Sequence, residues 1–184
     1  MREDISWDAY YLKICDAVGL KSRCLSRHVG AIIVRDKKVI GTGYNGPPKG
    51  VPHCESRWRS DNALREEAVK QCIASSESEF DEFGTKMLCP RSILGYNSGQ
   101  GLEWCIAAHA ERNCLINASR EGVDPRGTTL YLNTCLPCKD CLIEIIQYGV
   151  VEVVAKELVY YDKMSEWLVY FSGLKVRGFS INGR

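Results

Sequence analysis

Apolar positions recur at near-helical spacing over residues 6–20, where Trp7, Tyr10, Tyr11, Ile14 and Val18 share a side and Gly19 closes the pattern. This predicts an amphipathic first helix with its aromatics in a core. The period then shortens. Val29-Gly30-Ala31-Ile32-Ile33-Val34 reads as an apolar strand, Asp36-Lys37-Lys38 as a turn, and Val39-Ile40-Gly41-Thr42-Gly43-Tyr44 as the returning strand of a hairpin. Asn45-Gly46-Pro47-Pro48-Lys49-Gly50 is dense in turn formers and predicts a loop with special backbone angles. Residues 61–74 return to helical spacing, with Asp61 or Asn62 as cap, Glu66 and Glu67 early, and Ala63, Ala68, Val69, Cys72 and Ile73 on the apolar side. Residues 75–103 lose periodicity and gather Ser, Gly and Glu; a loop of that length in a compact domain is usually functional or held by something. Next come a helix over 107–120 ended by Gly122, a strand over 128–132, and a helix over 142–148 ended by Gly149. A buried strand over 150–154, a helix over 163–171 and a last strand over 175–179 complete the chain.

Helix, hairpin, helix, then alternating helix and strand predicts an α/β fold, a mixed sheet with helices on both faces. The 184 residues are expected to form a single domain, 1–184, with an irregular inserted segment at about 75–103. Charge adds an exclusion. Twenty-four basic residues against 23 acidic ones leave +1, which argues against stable nucleic-acid binding. Met1-Arg2-Glu3-Asp4 begins no signal peptide, and no apolar run approaches the ~20 residues of a membrane span. Ten cysteines in a chain without a secretion signal read as metal ligands rather than disulfides, and the expected compartment is cytoplasmic.

The chemistry gathers at His109-Ala110-Glu111, answered by Pro137-Cys138-Lys139-Asp140-Cys141. One histidine and two cysteines supply three ligands of a tetrahedral zinc and leave the fourth position open, as catalytic sites require. Glu111, two residues past His109, can reach that position without being a ligand. Zinc brings the pKa of water down to about 7, and one carboxylate in the pocket can then carry protons to a ring nitrogen and a leaving amine. Cys135-Leu136-Pro137-Cys138 is also a C-x-x-C, but the proline directly before Cys138 selects the Cys138/Cys141 pair. A helix starting near Pro137 would aim its N–H groups at the thiolates. The two half-sites each open a helix, and their N-termini are expected to meet at one end of the sheet. H-x-E followed by P-C-x-x-C is the general signature of zinc-dependent nucleobase deaminases.

Cys24, Cys54, Cys89 and Cys105 stand apart from the helices and from this turn. Four thiolates on a second, structural zinc would hold the long irregular segment without a hydrophobic core, with His53 as a substitute ligand. Cys15, Cys72 and Cys114 fall on helix faces and read as core residues.

With these residues in view, the chain resembles the deoxycytidylate (dCMP) deaminase family, within the cytidine deaminase-like superfamily. The strand 29–34, the run 41–50, His109-Ala110-Glu111 and Pro137-Cys138-Lys139-Asp140-Cys141 carry the resemblance, which extends over about residues 5–180. It implies a three-layer αβα fold with a five-stranded mixed sheet, and hydrolysis of dCMP to dUMP and ammonia, supplying dUMP for dTMP synthesis. His109, Cys138 and Cys141 would bind the catalytic zinc, Glu111 would shuttle protons, and Asn45 and Ala110 would contact the substrate. Many members are homo-hexamers, activated by dCTP and inhibited by dTTP with Mg2+ accompanying the triphosphate, so the resemblance implies a homo-oligomer. Gly41, Gly43, Tyr44, Gly46, Lys49 and Gly50 occupy the segment that meets the effector in such members. Cys24 and Cys54 match two positions of a structural zinc that some members carry. No motif fixes the phosphate ligands; Arg27, Lys49, Arg112, Lys139, Tyr161 and Lys163 are the candidates. The rival readings are another nucleobase deaminase, acting on tRNA adenosine or a modified cytosine nucleotide, and a non-catalytic zinc-binding interaction domain.

Overall fold

Alternation in the strand Gly30–Arg35 (β1) decides the architecture, because every second side chain meets a different layer. The computed structural model describes residues 5–70, 89–97 and 99–179. They fall into two compact units. The first draws on Met1–Ser22, His28–Asn45 and His109–Arg184, and the second on Arg23–Arg27 and Gly46–Ala108.

In the first unit β1 turns through Asp36 and Lys37 into Lys38–Tyr44 (β2). Both turn residues have positive φ, 50° and 61°, the combination that lets a two-residue loop match the twist of its strands. Thr129–Cys135 (β3) lies antiparallel to β1 on its other side; Glu152–Glu157 (β4) and Lys175–Gly178 (β5) then add in parallel. The result is a five-stranded mixed sheet of order β2-β1-β3-β4-β5. Ala31, Ile33, Leu130, Leu132, Val153 and Ala155 point to one face. There they meet Ala110–Arg120 (α5), Lys139–Gln147 (α6) and Lys163–Ser172 (α7) through Leu115, Ala118, Leu142, Ile145 and Val169. Ile32, Val34, Tyr131 and Val154 point the other way, onto Tyr11, Leu12 and Cys15 of Trp7–Gly19 (α1). This is the expected three-layer αβα arrangement. Cys15 and Cys114 are fully buried, as expected of core cysteines; Cys72 lies outside the described residues.

Two glycines permit the closest approaches between layers. A Cβ on Gly30 would lie 2.0 Å from the Cys15 carbonyl oxygen of α1; one on Gly43 would lie 2.2 Å from the Cys114 nitrogen of α5. Both helices therefore rest directly on strand backbone.

The second unit holds Cys54–Ser60 (α2), Asn62–Lys70 (α3), the short Pro90–Ile93 (α4) and a 3₁₀ turn at Leu102–Trp104. Leu64, Ala68 and Leu94 form its small core, with Ile93, Tyr96 and Trp104 packed against them. Arg57 is buried beside it, donating to the Trp104 carbonyl at 2.6 Å and forking onto Asp61 at 2.5 and 3.1 Å. Of the expected irregular segment 75–103, residues 75–88 and 98 lie outside the described residues; α4 and the start of the 3₁₀ turn give the remainder regular structure. The expected helix over 61–74 is described as far as Lys70. Among the described residues no helix is long and apolar enough to cross a membrane.

Candidate active site

Helices α5 and α6 begin with residues that are unusual at a cap. His109 is the N-cap of α5 and Cys138 that of α6; both have extended backbone, and neither side chain caps its helix. N-cap positions ordinarily go to Ser, Thr, Asp or Asn, which satisfy the free N–H groups of the first turn. Here those positions carry a histidine and a cysteine, both able to bind a metal. Cys141 follows one turn into α6 and is buried. The expected helix start at 107 moves to Ala110, because Ala108 exchanges backbone hydrogen bonds with Gly46 in an isolated β-bridge of the second unit. That extended stretch runs up to His109 and leaves its ring at the helix mouth.

The three donor atoms lie within 4.8 Å of one another, a grouping found nowhere else among the described residues. His109 Nδ1 is 3.5 Å from Cys138 Sγ and 3.3 Å from Cys141 Sγ. Zinc–sulfur and zinc–nitrogen bonds of about 2.3 and 2.0 Å at a tetrahedral angle require an N···S edge of roughly 3.5 Å. The donor set therefore fits zinc in both chemistry and size, with one tetrahedral corner left for a reactant.

Electrostatics agree with the geometry. The hydrogen bond shared with Cys138, together with burial, raises Cys141, while the same hydrogen bond, with burial opposing and His109 adding, lowers the Cys138 thiol. The positive ends of two helices add to this. His109 is raised, first by its hydrogen bond with Cys138 and against the opposing effect of burial. Glu111 is 5% exposed, and burial, the leading cause, raises its carboxyl above the ordinary range. A carboxyl poised nearer neutrality both accepts and returns a proton.

Other expected residues fall as follows. Ala110 is fully buried in the first turn of α5. Asn45 is buried at the end of β2. Its Oδ1 accepts from the Val29 N–H at 2.8 Å, and its carbonyl accepts from the Ser22 hydroxyl at 2.8 Å. Gly41 and Gly43 lie along β2, while Tyr44 at its end is exposed. Lys49 and Gly50 are exposed and Gly46 is buried. Cys24, Cys54, Cys89 and Cys105 all belong to the second unit. Burial first, then Cys89, with Cys105 and Cys24 adding and Arg57 opposing, pushes the Cys54 thiol up to about 11. The neighbouring His53 has a buried Nδ1 without a hydrogen-bond partner. Two features were missed in the sequence. Arg112, a phosphate candidate there, is engaged by Glu144 of α6. Asp162 caps α7 through the Ser165 N–H at 2.8 Å and also accepts from the Lys139 N–H at 3.4 Å, tying the β4–α7 turn to the start of α6.

Fold and site thus define an α/β protein with a His/Cys/Cys group able to hold zinc and a buried carboxyl, Glu111, two residues from His109. Residues 5–157 match the cytidine and deoxycytidylate deaminase zinc-binding region, and the chain belongs to that family. It is 33% identical over 175 residues to the deoxycytidylate deaminase of Saccharomyces cerevisiae, covering 95% of this chain and 45% of that one. It is 35% identical over 159 residues to the deoxycytidylate deaminase of Enterobacteria phage T2, covering 83% and 79% respectively. The chain thus spans less than half the length of the yeast relative. The dCMP deaminase of cyanophage S-TIM5 shares the fold, with a TM-score of 0.61 at 21% identity over 94% of this chain and 96% of that one. That protein has also been crystallised with dCMP and dUMP, and in that form the TM-score is 0.59 at 22% identity, covering 92% of this chain and 94% of that one.

Proposed function

We propose that this protein is a zinc-dependent hydrolase that converts dCMP to dUMP and ammonia. The observation that carries the proposal is the His109, Cys138 and Cys141 triad with Glu111 buried at the first turn of the same helix. The relatives named deoxycytidylate deaminase support the choice of substrate. Bound zinc supplies the Lewis acidity that makes water nucleophilic at neutral pH. Glu111 accepts a proton as water adds to C4 of the cytosine ring and delivers it to N3. The same carboxyl then takes the proton of the new C4 hydroxyl and passes it to the amino group, which leaves as ammonia while the C4 carbonyl forms. Burial of Glu111 suits this work, since a carboxylate raised above its ordinary range is a stronger base toward the proton it must accept from water. A purely structural metal site would not need a buried carboxyl beside it. Asn45 and Ala110, both buried and fixed in place, are read as substrate contacts.

Cys24, Cys54, Cys89 and Cys105 hold a second zinc, with His53 as an alternative ligand. Their shared place in the second unit and the orphaned His53 Nδ1 support this, although no three of the four sulfurs gather as closely as the donors of the His109 group. A homo-oligomer is supported by α7, whose Met164, Trp167, Tyr170 and Phe171 are all exposed, an apolar face of the kind that subunit contacts cover. A nucleoside triphosphate with Mg2+ acts as effector along Gly41, Gly43, Tyr44, Gly46, Lys49 and Gly50, and the enzyme works in the cytoplasm as a single-domain catalyst.

Ammonia release from dCMP, dCTP and deoxycytidine, with Glu111→Gln as blank, tests the activity. The variant is expected to keep its zinc and lose about 10²–10⁴ in kcat, the usual worth of a general acid–base group. Normal turnover by Glu111→Gln would refute the mechanism. Wild-type activity on dCTP in place of dCMP would refute the substrate.

A further inference from the structure

The two halves of the metal site come from different helices, 29 residues apart between His109 and Cys138. Something must hold those helices at the spacing the ligand set requires. Arg112 is the third residue of α5, directly after Glu111; Glu144 lies one turn beyond Cys141 on α6. Arg112 Nε donates to Glu144 Oε2 at 3.0 Å, and Nη2 meets Oε1 at 2.8 Å. Two parallel bonds from a planar fork to a planar carboxylate fix orientation as well as distance. Each partner is thus locked to a helix within one turn of a ligand.

We infer that the Arg112–Glu144 pair is a clamp across α5 and α6 that sets the separation of His109 from Cys138 and Cys141, making both members positioning residues for the reaction. The reading rests on the zinc-dependent deamination proposed above. Both side chains are 36% exposed, so the pair adds little to global stability. Its effect falls on the metal site, where partners outside the ligand shell commonly change zinc affinity about 10–100-fold. Glu144 engages Nε and Nη2 of the guanidinium, so positioning rather than phosphate binding is the role inferred for Arg112.

The test uses full-length zinc-loaded protein as Arg112→Met, Glu144→Gln and the double variant. Zinc affinity is read by chelator competition, then kcat and KM on dCMP, then Tm. Expected are a zinc affinity weakened about 10–100-fold in each single variant, kcat lowered with KM nearly unchanged, and a double variant no worse than either single. Unchanged zinc affinity in both singles would overturn the clamp. So would additive losses, or a raised KM in Arg112→Met alone, which would return Arg112 to the phosphate. Wild-type protein that binds zinc but deaminates none of the substrates would refute the function while leaving the zinc measurement to judge the clamp.

Discussion

Gly43→Ala is the substitution whose outcome follows most directly from the structure. A Cβ at residue 43 would lie 2.2 Å from the Cys114 nitrogen and 2.4 Å from the Ala110 carbonyl oxygen, where ordinary contact begins at 3.4 Å. The obstacles are backbone atoms of α5, so no rotamer change relieves them. The helix must move by on the order of 1 Å, and overpacking of this kind costs up to about 3 kcal/mol. For a chain of this size that corresponds to a fall in Tm of about 6–12 °C. The same movement carries His109 and Glu111 with it, and a displacement near 1 Å at a reacting group costs about 10²-fold in rate. Gly41→Ala is milder, about 1 kcal/mol, because its Cβ meets the Ile33 and Ala118 side chains at 2.9–3.1 Å. Gly46→Ala meets nothing within 4 Å and should stay within about 0.5 kcal/mol of wild type. Thermal unfolding of the three variants, with zinc content and ammonia release on each, reads the series. A wild-type Tm and rate for Gly43→Ala would refute the contact between β2 and α5. Equal losses at all three positions would refute packing as the reason for the glycines of β2.

Two further outcomes follow. The Arg177 fork on Asp8, at 2.7 and 3.2 Å, holds that carboxyl below its usual range; Tyr131 donates as well, at 2.9 Å, while burial opposes. A lowered carboxyl stabilises the fold above its unfolded value of about 3.9 and loses that contribution as pH falls through the folded value. Asp8→Asn should therefore cost about 0.5–1 kcal/mol at pH 7, discounted for the half-exposed Arg177, and progressively less as pH falls below about 3.9. Urea midpoints measured across that range check it, and a pH-independent difference would refute it. Cys54→Ser should lower the zinc content from two per chain to one while the remaining zinc stays with His109; a wild-type chain that binds only one zinc would remove the second site.

What the sequence made legible was local. Helix α5 and the turn after β3 could be read because His109, Glu111, Cys138 and Cys141 announce their chemistry within five residues on either side. The sheet could be read because alternation along Ala31–Val34 must serve two layers. What escaped was fixed by distant partners. The strand ending in the sequence at 132 runs on to Cys135, because Cys135 finds Glu157 of β4 beside it. Helix α2 has seven residues and little apolar periodicity; Arg57 reaches from it to the Trp104 carbonyl and Asp61. Arg112 looked like a free cation because nothing near it in the chain pairs with it, and its carboxylate lies 32 residues away. The packing role of Gly43 escaped for the same reason, since the helix that needs it to lack a side chain begins at Ala110. Ligand type is therefore a property of short motifs, whereas ligand spacing is a property of the sheet and of cross-helix contacts. A change at Gly43 or Glu144 should disturb the metal site while every residue of the motif remains in place.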